Sequence, residues 1–94
     1  MSDSHLDGGW SKWNFTLTPE AQGVFAKALH GFTGVGYTPL AFATQVVNGT
    51  NYSFLAQGKV IVPGTPEIAA KIHIFVPASG KGDPHLRQII EIAP

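Results

Sequence analysis

Gln45-Val46-Val47-Asn48-Gly49-Thr50-Asn51-Tyr52 is the stretch whose reading decides the fold. Strand-forming residues enter an Asn-Gly step, and strand-forming residues leave it. Asn-Gly fits a two-residue type I′ hairpin, because both central residues of that turn need positive φ and these two tolerate it best. The stretch therefore predicts two antiparallel strands joined at Asn48-Gly49. Its first five residues also spell the pattern Gln-x-Val-x-Gly.

Period-two patterning extends from both sides of that step. Leu40, Phe42, Thr44 and Val46 share one predicted face, and Ala41, Ala43, Gln45 and Val47 the other. The second strand carries Tyr52, Phe54 and Ala56 on one side and is expected to run past Gly58, as a bulge or bend, through Val60-Ile61-Val62. Pro63-Gly64-Thr65-Pro66 reads as a turn. Ile68, Ala70, Ile72, Ile74 and Val76 then alternate with Ala69, Lys71, His73 and Phe75, the signature of a half-buried strand. Pro77 to Pro84 is a loop by composition, and residues 85–93 close the chain with a strand whose prominent apolar positions are Leu86, Ile90 and Ile92.

The residues before the decisive stretch read as a helix. Thr18 is an N-cap, Pro19 suits the first helical position, and Glu20 places an acid in the first turn. Ala21, Val24, Phe25, Ala28, Leu29 and Phe32 follow at helical spacing, so a helix is expected from about residue 18 to 32. Gly31 and Gly34 are candidate stop signals. Upstream, Trp13-Asn14-Phe15-Thr16-Leu17 reads as an early strand and residues 1–12 as a flexible arm. The expected class is α+β: one long helix packed across a curved antiparallel sheet of four to five strands. Residues 1–94 form a single domain, because a chain this short supports one core.

Composition narrows the function. Six Lys and Arg balance six Asp and Glu, which leaves no basic face for nucleic acid. No window approaches the roughly 20 apolar residues of a membrane span. Without cysteine there is no disulfide, thiolate zinc site or thiol nucleophile. His5, His30, His73 and His85 lack metal-ligand spacing, and the acids form no evident pair. The reading is accordingly no cofactor, no metal and no enzyme.

The features above resemble the cystatins, protein inhibitors of papain-like cysteine proteases, and among them the single-domain, disulfide-free stefins. The resemblance rests on Gly8-Gly9 before the first strand, Ser11 two positions later, Thr18-Pro19-Glu20 opening the helix, and the octapeptide Gln45 to Tyr52. It covers essentially the whole chain in order and length, and the octapeptide is its most specific part. It implies a helix wrapped by a curved antiparallel sheet. It also implies a wedge that inserts into a papain-like active-site cleft without being cut. Carried over by position, the trunk of the wedge is Gly8, Gly9 and Trp10. The first loop is Gln45, Val46, Val47, Asn48 and Gly49. The second loop lies within Ala78 to His85, with Pro84 and His85 as its contact residues.

Three departures stand out. The second loop has no Trp, where many of these inhibitors carry a Pro-Trp pair, and Trp10 is bulkier than the usual trunk residue. Trp13 has no counterpart in the family pattern. The missing second-loop Trp keeps a competing expectation open, a non-inhibitory interaction or scaffold module on the same fold. The expected partner is a papain-like cysteine protease, with no nucleic acid and no membrane. The chain is expected to be a monomer, and exchange of a strained first loop between copies would give a domain-swapped dimer. Met1 to His5 is polar, which predicts a cytoplasmic protein and leaves secretion of a processed form open. Asn14-Phe15-Thr16, Asn48-Gly49-Thr50 and Asn51-Tyr52-Ser53 fit the glycosylation sequon, and with no visible leader they read as coincidental.

Overall fold

The computed structural model describes residues 9–79 and 81–94. One helix, α1 (Pro19–Ala28), precedes four strands: β1 (Val35–Val47), β2 (Gly49–Val60), β3 (Ile68–Val76) and β4 (His85–Ile92). The strands pair antiparallel in the order β1-β2-β3-β4, and α1 packs on one face of the sheet. This is the α+β meander expected from the pattern.

Local chemistry sets the start of α1. The Thr18 Oγ1 accepts a hydrogen bond from the Ala21 N–H at 3.1 Å, Pro19 follows, and Glu20 and Lys27 complement the helix dipole at its two ends. The end comes earlier than the apolar spacing predicts. The Leu29 N–H still reaches the Phe25 carbonyl, but His30 donates to Lys27 and Phe32 to Leu29, three residues back. Gly31, at φ +84, then turns the chain out of the helix. Ala21, Val24 and Phe25 are therefore buried, Ala28 and Leu29 pack at the margin of the core, and Phe32 lies outside it against Tyr37.

The expected early strand shrinks to a single bridge, Asn14 to Phe42. Its cause is local. The Asn14 side-chain oxygen accepts the Thr16 N–H at 2.9 Å, and this turn draws the chain off the sheet edge. Residues 11–14 still cover part of the open edge of β1, through bonds between Ser11 and Thr44 and between Asn14 and Phe42.

Two register shifts decide which residues face the helix. Between Pro39 and Ala41, Leu40 is an extra residue in β1. The phase of the strand changes there, so Tyr37 and Phe42 both pack against the core while Leu40 is 44% exposed. The expectation that Leu40 and Phe42 share a face is corrected accordingly. The second shift leaves Arg87 extra in β4, between Leu86 opposite Ile74 and Gln88 opposite His73. Leu86 and Ile89, three apart, thus share the helix side, whereas Ile92 is exposed. Gly58 is no bulge. It stays in register between Tyr37 and Ile68, and a Cβ on it would lie 2.7 Å from the Ile68 side chain and 2.9 Å from the Tyr37 ring. β2 ends at Val60, which leaves Ile61 and Val62 as exposed loop residues.

Phe54 sits at the centre of the core with no exposed surface. The Phe25 ring meets it edge-on at 4.9 Å, and the Tyr52 ring lies parallel to it at 5.6 Å. Ile72 lies opposite Phe54 on β3 and is equally buried. Phe54→Ala is expected to cost about 3–5 kcal/mol, because the ring leaves a cavity that three strands and a helix cannot close. Urea unfolding should show this as a lower midpoint with an unchanged slope. Phe15→Ala, at an exposed site, should stay within about 0.5 kcal/mol of the parent.

Candidate functional site

The β1–β2 hairpin closes more tightly than a type I′ turn. Val46 lies opposite Thr50 and Val47 opposite Gly49, which leaves Asn48 alone at the tip. A two-residue turn would instead place Val47 opposite Thr50. The register is fixed from outside the hairpin. Gly49 has φ +119, and a Cβ there would fall 2.5 Å from the Val76 carbonyl oxygen and 2.8 Å from the Phe75 ring. The tip backbone thus lies against the end of β3, where only glycine fits.

This packing arranges the rest of the first loop. Val46 is 73% exposed, Val47 is 45% exposed, and Asn48 is exposed between them and Gly49. Gln45 is half-buried, and its side-chain oxygen accepts a bond from the Asn51 side-chain amide at 2.9 Å. That cross-strand bond closes the hairpin immediately behind the apolar pair. The result is an uncharged tip that presents two branched apolar side chains and exposed backbone.

Two further segments reach the same end of the sheet. β3 ends at Val76 beside Thr50, and Phe75 lies opposite His85, so the loop between β3 and β4 begins and ends next to the hairpin. In that loop the Lys81 N–H bonds the Ala78 carbonyl at 2.9 Å, and Gly82 has φ +135. Pro84 is half-buried, and His85, the first residue of β4, is exposed. The N-terminal segment lies antiparallel along β1, running away from the tip, so its earliest residues stand nearest the tip. The Ser11 N–H donates to the Thr44 carbonyl at 2.8 Å, and the Ser11 hydroxyl accepts the Thr44 N–H at 2.9 Å. Gly9 is half-buried beyond this double bond, while Gly8 lies outside the described residues.

Trp10 folds back onto the sheet face opposite the helix. Its ring meets His73 edge-on at 6.0 Å and is 36% exposed. Trp10, Ser11 and Trp13 lie over Ala43, Ser53, Lys71 and His73 around a shallow pocket of about 160 Å³. Trp13, which has no counterpart in the family pattern, thus helps to roof this face. Burial, reinforced by the Lys71 ammonium, pushes the His73 imidazole below its ordinary range. Phase alternation placed Phe75, Lys71 and His73 on the open face, but it did not reveal that Phe75 props the hairpin tip and lies under the Arg87 guanidinium at 5.9 Å. Among the described residues, no group of three or more His, Asp or Glu side chains is placed to hold a metal ion.

Gly49→Ala should destabilise the domain by about 1–3 kcal/mol, because the new methyl combines positive φ with a backbone collision. Asn48→Ala, which meets no such constraint, should unfold with the parent in the same urea titration. His73 supplies a pH dependence whose sign follows from its lowered pKa. The unfolded chain takes up the proton first, so its contribution is complete above the unfolded value of about 6.5 and is lost as pH falls through that value toward the lower folded one. His73→Gln should flatten this part of the stability profile.

No protein-family model matches the chain, and no curated protein matches it significantly. Among solved structures, the chain is similar to a secreted type 1 cystatin from Fasciola hepatica. The two share 26% sequence identity over 92% of this chain and 97% of that one, with a TM-score of 0.66. The helix on a four-stranded antiparallel meander is the cystatin fold.

Proposed function

We propose that this chain is a stefin-like, reversible, tight-binding inhibitor of papain-like cysteine proteases, which occludes the active-site cleft and does no chemistry of its own. The carrying observation is the convergence of three segments at one end of the sheet around an exposed, uncharged tip of Val46, Val47 and Asn48. The likeness to a type 1 cystatin over nearly the full length of both chains supports the same reading. In this reading, Gly8 and Gly9 bring bare backbone close to the enzyme. Gln45 to Gly49 enter the cleft, and Pro84 and His85 flank them. Trp10 anchors the trunk beside the tip. The Gly49 contact and the Gln45–Asn51 bond hold the tip in one shape, so docking sacrifices little conformational freedom.

A scaffold module that binds a partner through the same end is the second reading, favoured by the absence of a Trp from the loop between β3 and β4. The inhibitor is read as a monomer acting in the cytoplasm. A chain without cysteine is equally suited to an oxidising compartment, and the secreted F. hepatica protein makes a secretory route the second assignment.

Titration of active papain by the purified chain separates inhibitor from scaffold: stoichiometric loss of activity is expected, and full activity at micromolar chain would end the inhibitor reading. Val46→Asp and Val47→Asp should each raise the inhibition constant at least about tenfold, because a charge at an apolar contact must be desolvated without a partner. Both side chains point to solvent in the free protein, so the urea midpoint of each variant should match the parent. Equal inhibition by parent and variants would move the contact surface elsewhere.

A further inference from the structure

The sheet face opposite the helix carries a depression whose cause is the order of side chains across the strands. Ala43, Ser53 and His73 stand opposite one another on β1, β2 and β3, and Lys71 shares their face two residues before His73. Two small side chains beside two long ones leave a floor against a wall. The N-terminal segment supplies the other wall by bringing Trp10 and Trp13 over the row. The space between has a volume of about 160 Å³. That is close to the roughly 150 Å³ at which an apolar cavity takes up one benzene.

The polar groups around this space lack partners. Ser53 is 5% exposed, and its hydroxyl makes no hydrogen bond among the described residues. No fully enclosed side-chain polar atom among those residues is unpartnered, so the Ser53 hydroxyl keeps contact with the space it lines. The Lys71 ammonium has neither an ion pair nor a hydrogen bond among the described residues. Leu55 and Ile90, which stand opposite it on β2 and β4, offer no counter-charge. The His73 ring touches Trp10 at its edge and makes no hydrogen bond among the described residues. The Ser11 hydroxyl is already committed, donating to the Lys12 carbonyl and accepting the Thr44 N–H. One small space thus gathers an ammonium, an imidazole and a buried hydroxyl, and no acid lines it.

We infer that this pocket binds a small aromatic carboxylate, its charged end held by Lys71, His73 and Ser53 and its ring resting against Trp10 and Trp13. Lys71 repels a cation from the same space. A neutral ring would satisfy the indoles and leave the ammonium without a counter-charge. A carboxylate accepts charge-assisted hydrogen bonds from the ammonium and a further bond from the hydroxyl, while its flat apolar body covers the indoles and Ala43. Burial and then the Lys71 ammonium hold the His73 imidazole below its ordinary range, and a bound anion offsets the second cause. The inference does not rest on the inhibitor reading, since no residue of the hairpin tip lines the pocket.

Both tryptophans of the chain line this pocket, so tryptophan emission reports its occupancy without a label. The probe is benzoate, with benzamide as its uncharged counterpart and benzylammonium as a cation of similar size. Benzoate should change the emission saturably with a Kd of about 0.1–1 mM, and the other two should bind at least about tenfold more weakly. Amide shifts in an NMR titration should centre on Ala43, Ser53, Lys71 and His73. Lys71→Gln should weaken benzoate at least about tenfold and Ser53→Ala about threefold. Lys59→Gln, which alters a lysine paired with Glu67 outside the pocket, should bind as the parent does. The absence of saturable binding up to about 10 mM benzoate would overturn the site. Benzamide binding as tightly as benzoate, or an unaltered Kd in folded Lys71→Gln, would do the same. If Lys71→Gln does not fold, Ser53→Ala and the ratio of benzoate to benzamide affinity in the parent decide the matter.

Discussion

The absence of a side chain at position 49 is the constraint on which the tip end of the molecule depends. With a carbonyl oxygen 2.5 Å and an aromatic carbon 2.8 Å from where a Cβ would stand, the hairpin backbone rests directly on the last residues of β3. Every neighbour takes its position from that contact. Val47 is forced opposite Gly49, Asn48 becomes the sole apex residue, and the side chains of Val46 and Val47 are left in solvent. The Gln45–Asn51 bond then closes the ladder behind them. A free two-residue hairpin would place the same residues in a different register, so the shape of the tip is a tertiary property.

What the sequence made legible divides along the same line between local and distant causes. The start of α1 could be read because Thr18, Pro19 and Glu20 act within one turn. Its end was legible only in part: Gly31 stood out as a candidate stop signal, but apolar spacing runs on to Phe32 while α1 already ends at Ala28, where the bonds tighten to three residues back. The strands were legible from alternation, but their phase was not. An extra residue at Leu40, and another at Arg87, shifts which side chains meet the helix, and each exists only because of how a partner strand pairs with it. Gly58 invited a bulge and turned out to be a slot for Tyr37 and Ile68, contacts supplied by two other strands.

The candidate site shows the same partition. Asn48-Gly49 marked the hairpin from sequence, and the octapeptide around it carried the resemblance to cystatins. The roles of Phe75 and His73 were hidden, because the first depends on how the hairpin tip rests on β3 and the second on which segment crosses the face opposite the helix. That segment is the stretch from Trp10 to Trp13, tied to Thr44 by two bonds through Ser11. A bulky trunk residue that looked like a departure from the family pattern thus has structural work on the sheet. Trp10 shares a pocket with small residues of β1 and β2 and meets His73 on β3.

Charge decides what kind of association such a surface supports. No residue from Gln45 to Tyr52 is ionisable below the range of a tyrosine hydroxyl, and burial together with the Glu20 carboxylate raises Tyr52 further. The chain as a whole carries six acids against six bases. Long-range steering, which accelerates encounter between oppositely charged surfaces, therefore has little to act on here. In the inhibitor reading, affinity must come from slow dissociation of a shape-matched apolar tip, and slow dissociation requires that the tip not be free to relax. The close approach at Gly49 meets that requirement before binding, which joins the strictest steric constraint in the molecule to the property that a cleft-blocking surface needs most.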